Sequence, residues 1–324
     1  TDVARRVNIL HYGAEKERNE DEIVEKLIGV MKAIRESKAD VRESLEAISR
    51  EILSEARSCE PLHFVHRAPN DLYGFTACNG INTARILARV VRHEPKLRNR
   101  PVDVISSGLI HDIGLLEIKG DFLARTGPLT DRERRELERH PRTGAEMIKR
   151  IYVDHPDVIA AVLMHHERLD GTGYPEGTQG NQIETMARLL AVCSTYSGLC
   201  CDRPHRPSRP PRTALADTLL MAEQGLLDPL QAEHLLSLSF YPVGSLVELA
   251  QGEIAMVVAV GGSGKAGGNP SRPVVAVLTD RRGNPLPKPH HLDLGEAEDY
   301  SIARILTTRE SKDHLSNDLP QWAA

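Results

Sequence analysis

A chain of 324 residues exceeds the usual size of one compact domain, so one large core with a smaller appendage, or two domains, is expected. With 41 Lys and Arg against 46 Asp and Glu, the net charge of −5 leaves no overall basic field and argues against a nucleic-acid polymer as partner. Five cysteines, odd in number and without CxxC spacing, indicate neither a disulfide framework nor a zinc ribbon, and no segment approaches the roughly 18 apolar residues of a membrane span; a cytoplasmic protein is expected.

Residues 21–56 carry Ile23, Leu27, Val30 and Met31 at helical spacing, which predicts one or two amphipathic helices that pack on the adjoining helical body or pair with a second chain. A helix is predicted from Asn82 to Val91, stopped by Pro95 and Pro101, and another from Val102 through His111, ended by Gly114. Thr130 with Glu133 three residues on reads as a capping box, opening a helix that ends near Pro141; a second helix is predicted from Thr143. Residues 157–166 and the stretch ETMARLLAVCSTYSGLC are again helical, separated by the Gly-rich loop DGTGYPEGTQGNQ. After about Phe240, SLVELA, IAMVVAV and PVVAVLTD are short Val-rich runs between Gly and Pro turns and read as strands. The predicted fold is mainly α: an N-terminal helical region over 1–70, a helical body over 71–240, a small β-rich C-terminal region over 241–308 and a polar tail over 309–324.

Fourteen histidines cluster near Asp and Glu, the composition of a His/carboxylate metal protein. His111 and Asp112 close an apolar helix, and an adjacent imidazole and carboxylate can ligate one metal while the carboxylate bridges to a second. His140 precedes Pro141 and Gly144, and the pair His165-His166 closes another apolar helix. Three such helix ends would place four imidazoles and a carboxylate around one pocket.

The stretches GLIHDIG (108–114), LTDRERRELERHPRTG (129–144), HHERLDGTGYP (165–175) and ARLLAVCSTYSGLCCDRPHR (187–206) resemble the HD-GYP phosphodiesterases, from about Phe75 to Arg206 and more loosely into YPVGSLVELAQGE. The resemblance implies an HD-domain helical bundle over 71–240, a two- or three-metal centre of iron or manganese, and opening of cyclic di-GMP. Carried over residue by residue, His111, Asp112, His140, His165 and His166 are the metal ligands, with His111 and Asp112 also the catalytic pair. Gly173, Tyr174, Pro175 and Arg206 are the substrate-binding positions, although Arg206 fits an ion pair steadying its loop equally well.

Three positions depart from the family pattern: Asn79 and Ser194 stand where it has ligands, and Leu115 where it has a lysine for substrate phosphate. By family geometry Asn79, His111, Asp112 and Ser194 would surround a first metal and Asp112, His140, His165 and His166 a second. Neutral amide and hydroxyl oxygens are poor donors for iron, manganese or zinc, so one divalent transition metal is expected in place of two. Lys119 and Arg125 read as loop charges, Cys193, Cys200 and Cys201 as packing residues, His290-His291 as a surface pair, and GGSGKAGGNP (261–270) as a hairpin connection without the spacing of a phosphate loop. Two functions stand level: a weak cyclic di-GMP phosphodiesterase in signalling, and a catalytically silent receptor or scaffold for cyclic di-GMP. A phosphohydrolase of another nucleotide fits the His-Asp chemistry but not the GYP loop. A GGDEF-type partner protein at the GYP loop and a homodimer are the protein partners admitted.

Overall fold

The computed structural model describes residues 20–38, 41–57, 62, 64–120, 122–204, 206–238, 241, 245–259, 272–297 and 299–306. Residues 1–19, Cys59, the Gly-rich stretch 261–270 and the polar tail lie outside them. The described residues fall into two compact units, 20–238 and the strand-bearing segment after 238.

The first unit is helical: α1 (20–35), α2 (Val41–Arg57), α3 (Leu72–Val90), α4 (Pro101–Ile110), α5 (Asp131–Leu137), α6 (His140–Ile148), α7 (Pro156–Met164), α8 (Thr185–Cys200), α9 (Pro211–Glu223) and α10 (Pro229–Glu233). The apolar stripe of α1 buries Ile23, Leu27 and Met31, and that of α2 buries Leu45, Ile48 and Ile52, each at spacings of three, four or seven residues. α3 and α4, buried along most of their length, form the centre with Ile81, Ile86, Leu87, Ile105 and Leu109 fully enclosed. Among the described residues no helix is long and apolar enough to cross a membrane.

Local chemistry explains where helices begin. Asp71 caps α3 by accepting the Gly74 N–H at 3.0 Å, so the helix starts ten residues before the predicted Asn82. The capping box of α5 forms as predicted, with Thr130 and Glu133 each accepting the other's backbone N–H. α6 starts at His140 rather than at Thr143, because Pro141 falls in the first turn, where a missing N–H costs nothing. α4 ends at Ile110, and the chain runs on through His111 and Asp112 into a 3-10 turn, Ile113–Glu117, instead of stopping at Gly114. A Cβ on Gly114 would lie 2.0 Å from the His140 carbonyl oxygen, so only glycine lets the turn bearing Asp112 lie against the start of α6.

The second unit is one antiparallel sheet in the order β4-β3-β2-β1-β5, from β1 (Leu246–Leu249), β2 (Ile254–Ala259), β3 (Val274–Thr279), β4 (Pro285–Asp293) and β5 (Ile302–Ile305). Val247, Leu249, Ala255, Val257, Val275 and Val277 alternate along β1, β2 and β3 and bury one face. β4 carries Pro285, Pro287 and Pro289, which hid it from the sequence pattern; it is an edge strand, where proline is tolerated. His290 and His291 lie exposed on it, as expected of a surface pair.

Candidate metal centre

Three histidines sit at helix ends and share one anchoring. The Nδ1–H of His111 donates to the Gly108 carbonyl at 2.7 Å, that of His140 to Leu137 at 2.6 Å, and that of His165 to Val162 at 2.8 Å. Each bond reaches back three residues and fixes the tautomer, leaving the lone pair on Nε2. The three lone pairs converge on the buried Asp112. Its Oδ1 lies 3.2 Å from His140 Nε2 and 3.5 Å from His165 Nε2, and its Oδ2 lies 3.4 Å from His111 Nε2.

The Nε2 atoms of His140 and His165 are buried without a hydrogen-bond partner. An imidazole lone pair facing a carboxylate oxygen needs a cation between them. Burial pushes the His165 pKa down to about 4 and holds that of His166 well below its ordinary value, so both rings are neutral at pH 7 and a proton does not fill the gap. Although burial would push it up, the Asp112 carboxyl is held well below the usual carboxylate range and stays ionised. The ligand atoms of Asp112, His140, His165 and His166 lie within 4.8 Å of one another, a set of three imidazoles and one carboxylate that fits a divalent transition metal. His111 is outside this group of four.

The loop after His166 is built to hold that ring. The Tyr174 ring stacks on His166 at 4.6 Å and 22°, and its backbone N–H donates to the His166 carbonyl. A Cβ on Gly173 would meet Arg168 N at 2.4 Å and Glu167 Cα at 2.5 Å, so the loop folds onto the peptides following His165 only with glycine there. Glu167, buried, accepts the backbone N–H groups of Glu176 at 2.8 Å and Thr178 at 3.1 Å and closes the loop. Its place in HHERLDGTGYP was visible, but nothing local signals partners nine and eleven residues away.

A cavity of about 730 Å³ opens beside the cluster, with His111, Asp112, His140 and His166 in its wall. Of the expected substrate-binding residues, Tyr174 and Arg206 line it, whereas Gly173 and Pro175 do not. Arg206 donates to the carbonyls of Gly198, Leu199 and Pro207, bracing the end of α8, so its charge is partly committed to the fold. Arg203 lies over the Phe75 ring at 4.8 Å, and Arg134 also lines the cavity, as does Met221, which no motif signals.

The three departures also gather here. Asn79 Nδ2 donates to Asp112 Oδ2 at 2.5 Å and lies 3.4 Å from His111 Nε2. Ser194 donates back to Ala191 O at 3.3 Å, and Leu115 presents a buried apolar side chain to the cavity. Lys119 is exposed and does not line the cavity, and Arg125 is held by both carboxylate oxygens of Glu133. Cys193, Cys200 and Cys201 are buried away from the cavity; burial pushes the Cys193 thiol well up and that of Cys200 up to about 12, so both stay protonated as packing groups.

The HD domain family profile matches residues 67–230, and that of a KOW domain associated with HD domains matches residues 246–314. The cyclic di-GMP phosphodiesterase PA4108 of Pseudomonas aeruginosa is 38% identical over 154 residues, 47% of this chain and 36% of that protein. The cyclic di-GMP phosphodiesterase response regulator RpfG of Xanthomonas campestris pv. campestris is 35% identical over 153 residues, 46% of this chain and 40% of that protein. The similarity thus spans well under half the length of these curated relatives. The structure of Bd1817, an HDG"Y"P protein from Bdellovibrio bacteriovorus, aligns over 66% of this chain and 69% of that one with a TM-score of 0.49 and 14% identity.

Proposed function

Because this chain belongs to the HD domain family, in its HD-GYP branch, we propose that its helical unit binds cyclic di-GMP beside a metal centre and hydrolyses it slowly. The observation that carries this reading is the convergence of Asp112, His140, His165 and His166 on one point in the wall of a cavity of ligand size. Those four residues would hold iron or manganese. A metal bound there supplies Lewis acidity toward a phosphoryl oxygen and a water of lowered pKa. The cavity offers Phe75, Phe122 and Tyr174 as apolar surface for bases, and Arg134, Arg203 and Arg206 as cationic groups for phosphates.

Slow turnover is the consequence of the residues at the first metal position. Neither Asn79 nor Ser194 is a strong donor, and Leu115 leaves phosphate charge without the cation the family places there. The second reading, a catalytically silent cyclic di-GMP receptor, is favoured by the same three residues. The exposed edge of the loop, Asp170, Thr172 and Glu176, is the surface a GGDEF-type partner would meet.

Titration calorimetry and product analysis on manganese-loaded protein test the proposal. Cyclic di-GMP should bind, turnover should be slow, and Asn79→His, Ser194→Asp and Leu115→Lys together should raise the rate while single changes do little, because the site works as a unit. Binding with no detectable turnover selects the receptor. Metal-loaded protein that ignores cyclic di-GMP and hydrolyses another nucleotide overturns both.

A further inference from the structure

Asn79 does more than fail to ligate. His111, His140 and His165 are anchored alike through Nδ1, so each presents Nε2 toward Asp112. Two of those nitrogens are buried without a partner, and the third, on His111, is not. The difference is the side-chain amide of Asn79, whose nitrogen lies 3.4 Å from His111 Nε2 and 2.5 Å from Asp112 Oδ2. An ionised carboxylate only accepts, so the NH2 end of the amide must face it. Its two hydrogens then meet two lone pairs, and those two lone pairs are what a cation between His111 and Asp112 would need.

We propose that Asn79 is an internal cap on the first metal position, a hydrogen-bond donor that occupies His111 and one oxygen of Asp112 and so holds the centre at a single metal. The cap divides the carboxylate: Oδ2 faces the amide, and Oδ1 faces His140 and His165. It also takes His111 out of the ligand set and makes it a hydrogen-bond acceptor. Burial supports this role. Asn79 lies on the central helix α3 and is 7% exposed, and its own Oδ1 is buried without a partner, so the amide is oriented by what its nitrogen donates to. At the other departed ligand position, Ser194 spends its hydrogen on the Ala191 carbonyl of its own helix.

The inference rests on the reading that Asp112, His140, His165 and His166 hold a metal, and it differs from the plain loss of a ligand in a measurable way. If Asn79 is only a missing ligand, deleting it changes nothing in metal number. If it is a cap, deleting it frees two lone pairs and opens a second position, even though no ligand is added.

The test is metal stoichiometry on the full chain, by elemental analysis and manganese titration, with electron paramagnetic resonance to detect coupled Mn(II) pairs bridged by Asp112. The expected result is one manganese per chain in the wild type and two, with a coupled signal, in Asn79→Ala under excess manganese. Asn79→Ser also removes the amide and serves if the alanine variant does not fold, and Asn79→His should bind the second ion more tightly than either. In the capped protein His111→Ala should leave the affinity for the single ion within about threefold, whereas His165→Ala should lower it at least a hundredfold. Two ions in the wild type, or one ion in both Asn79→Ala and Asn79→Ser, overturn the cap. A wild type that binds no ion overturns the metal reading instead.

Discussion

Replacing Gly173 with alanine tests whether the loop positions His166. A Cβ there would stand 2.4 Å from Arg168 N and 2.5 Å from both Glu167 Cα and His166 O. All three are main-chain atoms of the segment that carries His166, so no side-chain rotation relieves the clash, and the loop must move by about 1 Å to regain van der Waals contact. Gly173 is not among the residues of positive φ, so the effect is steric alone. Overpacking of this kind costs about 2 kcal/mol, or roughly 4–8 °C in Tm for a helical unit of this size. The same shift moves Tyr174 off His166 and should weaken metal binding by about ten- to a hundredfold, the usual cost of losing a group that orients a ligand. Gly29 is the control: it lies exposed within α1, where an added Cβ meets nothing within 4 Å, so Gly29→Ala should stabilise by about 0.5–1 kcal/mol. Calorimetry and competition with a chelating dye read both quantities. A Gly173→Ala protein that melts and binds metal like the wild type refutes the positioning role of the loop.

Glu167→Gln keeps the size of the side chain but turns an NH2 group toward one of the two backbone N–H donors of Glu176 and Thr178; a loss of about 1.5–3 kcal/mol is expected in thermal melts, and an unchanged melt would show that Glu167 does not close the loop. Acid should destabilise the metal-free protein through His165. Its folded pKa of about 4 lies below the unfolded value near 6.5, so the unfolded chain binds the extra proton between them: the stability is complete above pH 6.5 and is lost as pH falls toward 4, by about 3 kcal/mol for this group. Urea midpoints at pH 7 and 4.5 check this, and a stability that rises on acidification contradicts it.

Much of the helical unit could be read from the sequence because its signals are local. The capping box of Thr130 and Glu133 works over three residues, and the stripe of Leu27 and Met31 repeats with the helix period. The histidines that the structure brings to Asp112 stand at helix ends that the sequence marks with Gly and Pro. What escaped depends on distance in space. Whether the amide of Asn79 donates to Asp112, and whether Arg206 spends its hydrogens on the end of α8, is decided by packing between elements. Met221 reaches the cavity from a helix that carries no motif. β4 escaped because its prolines argue against a strand until it is known to lie at an edge.

The most direct measurement is anomalous diffraction from crystals grown with manganese or iron(II), recorded at the absorption edge of the metal. One peak per chain is expected, held by Asp112, His140, His165 and His166, with Asn79 still between His111 and Asp112. A peak held by other residues, or none with metal in excess, would contradict a single capped metal centre.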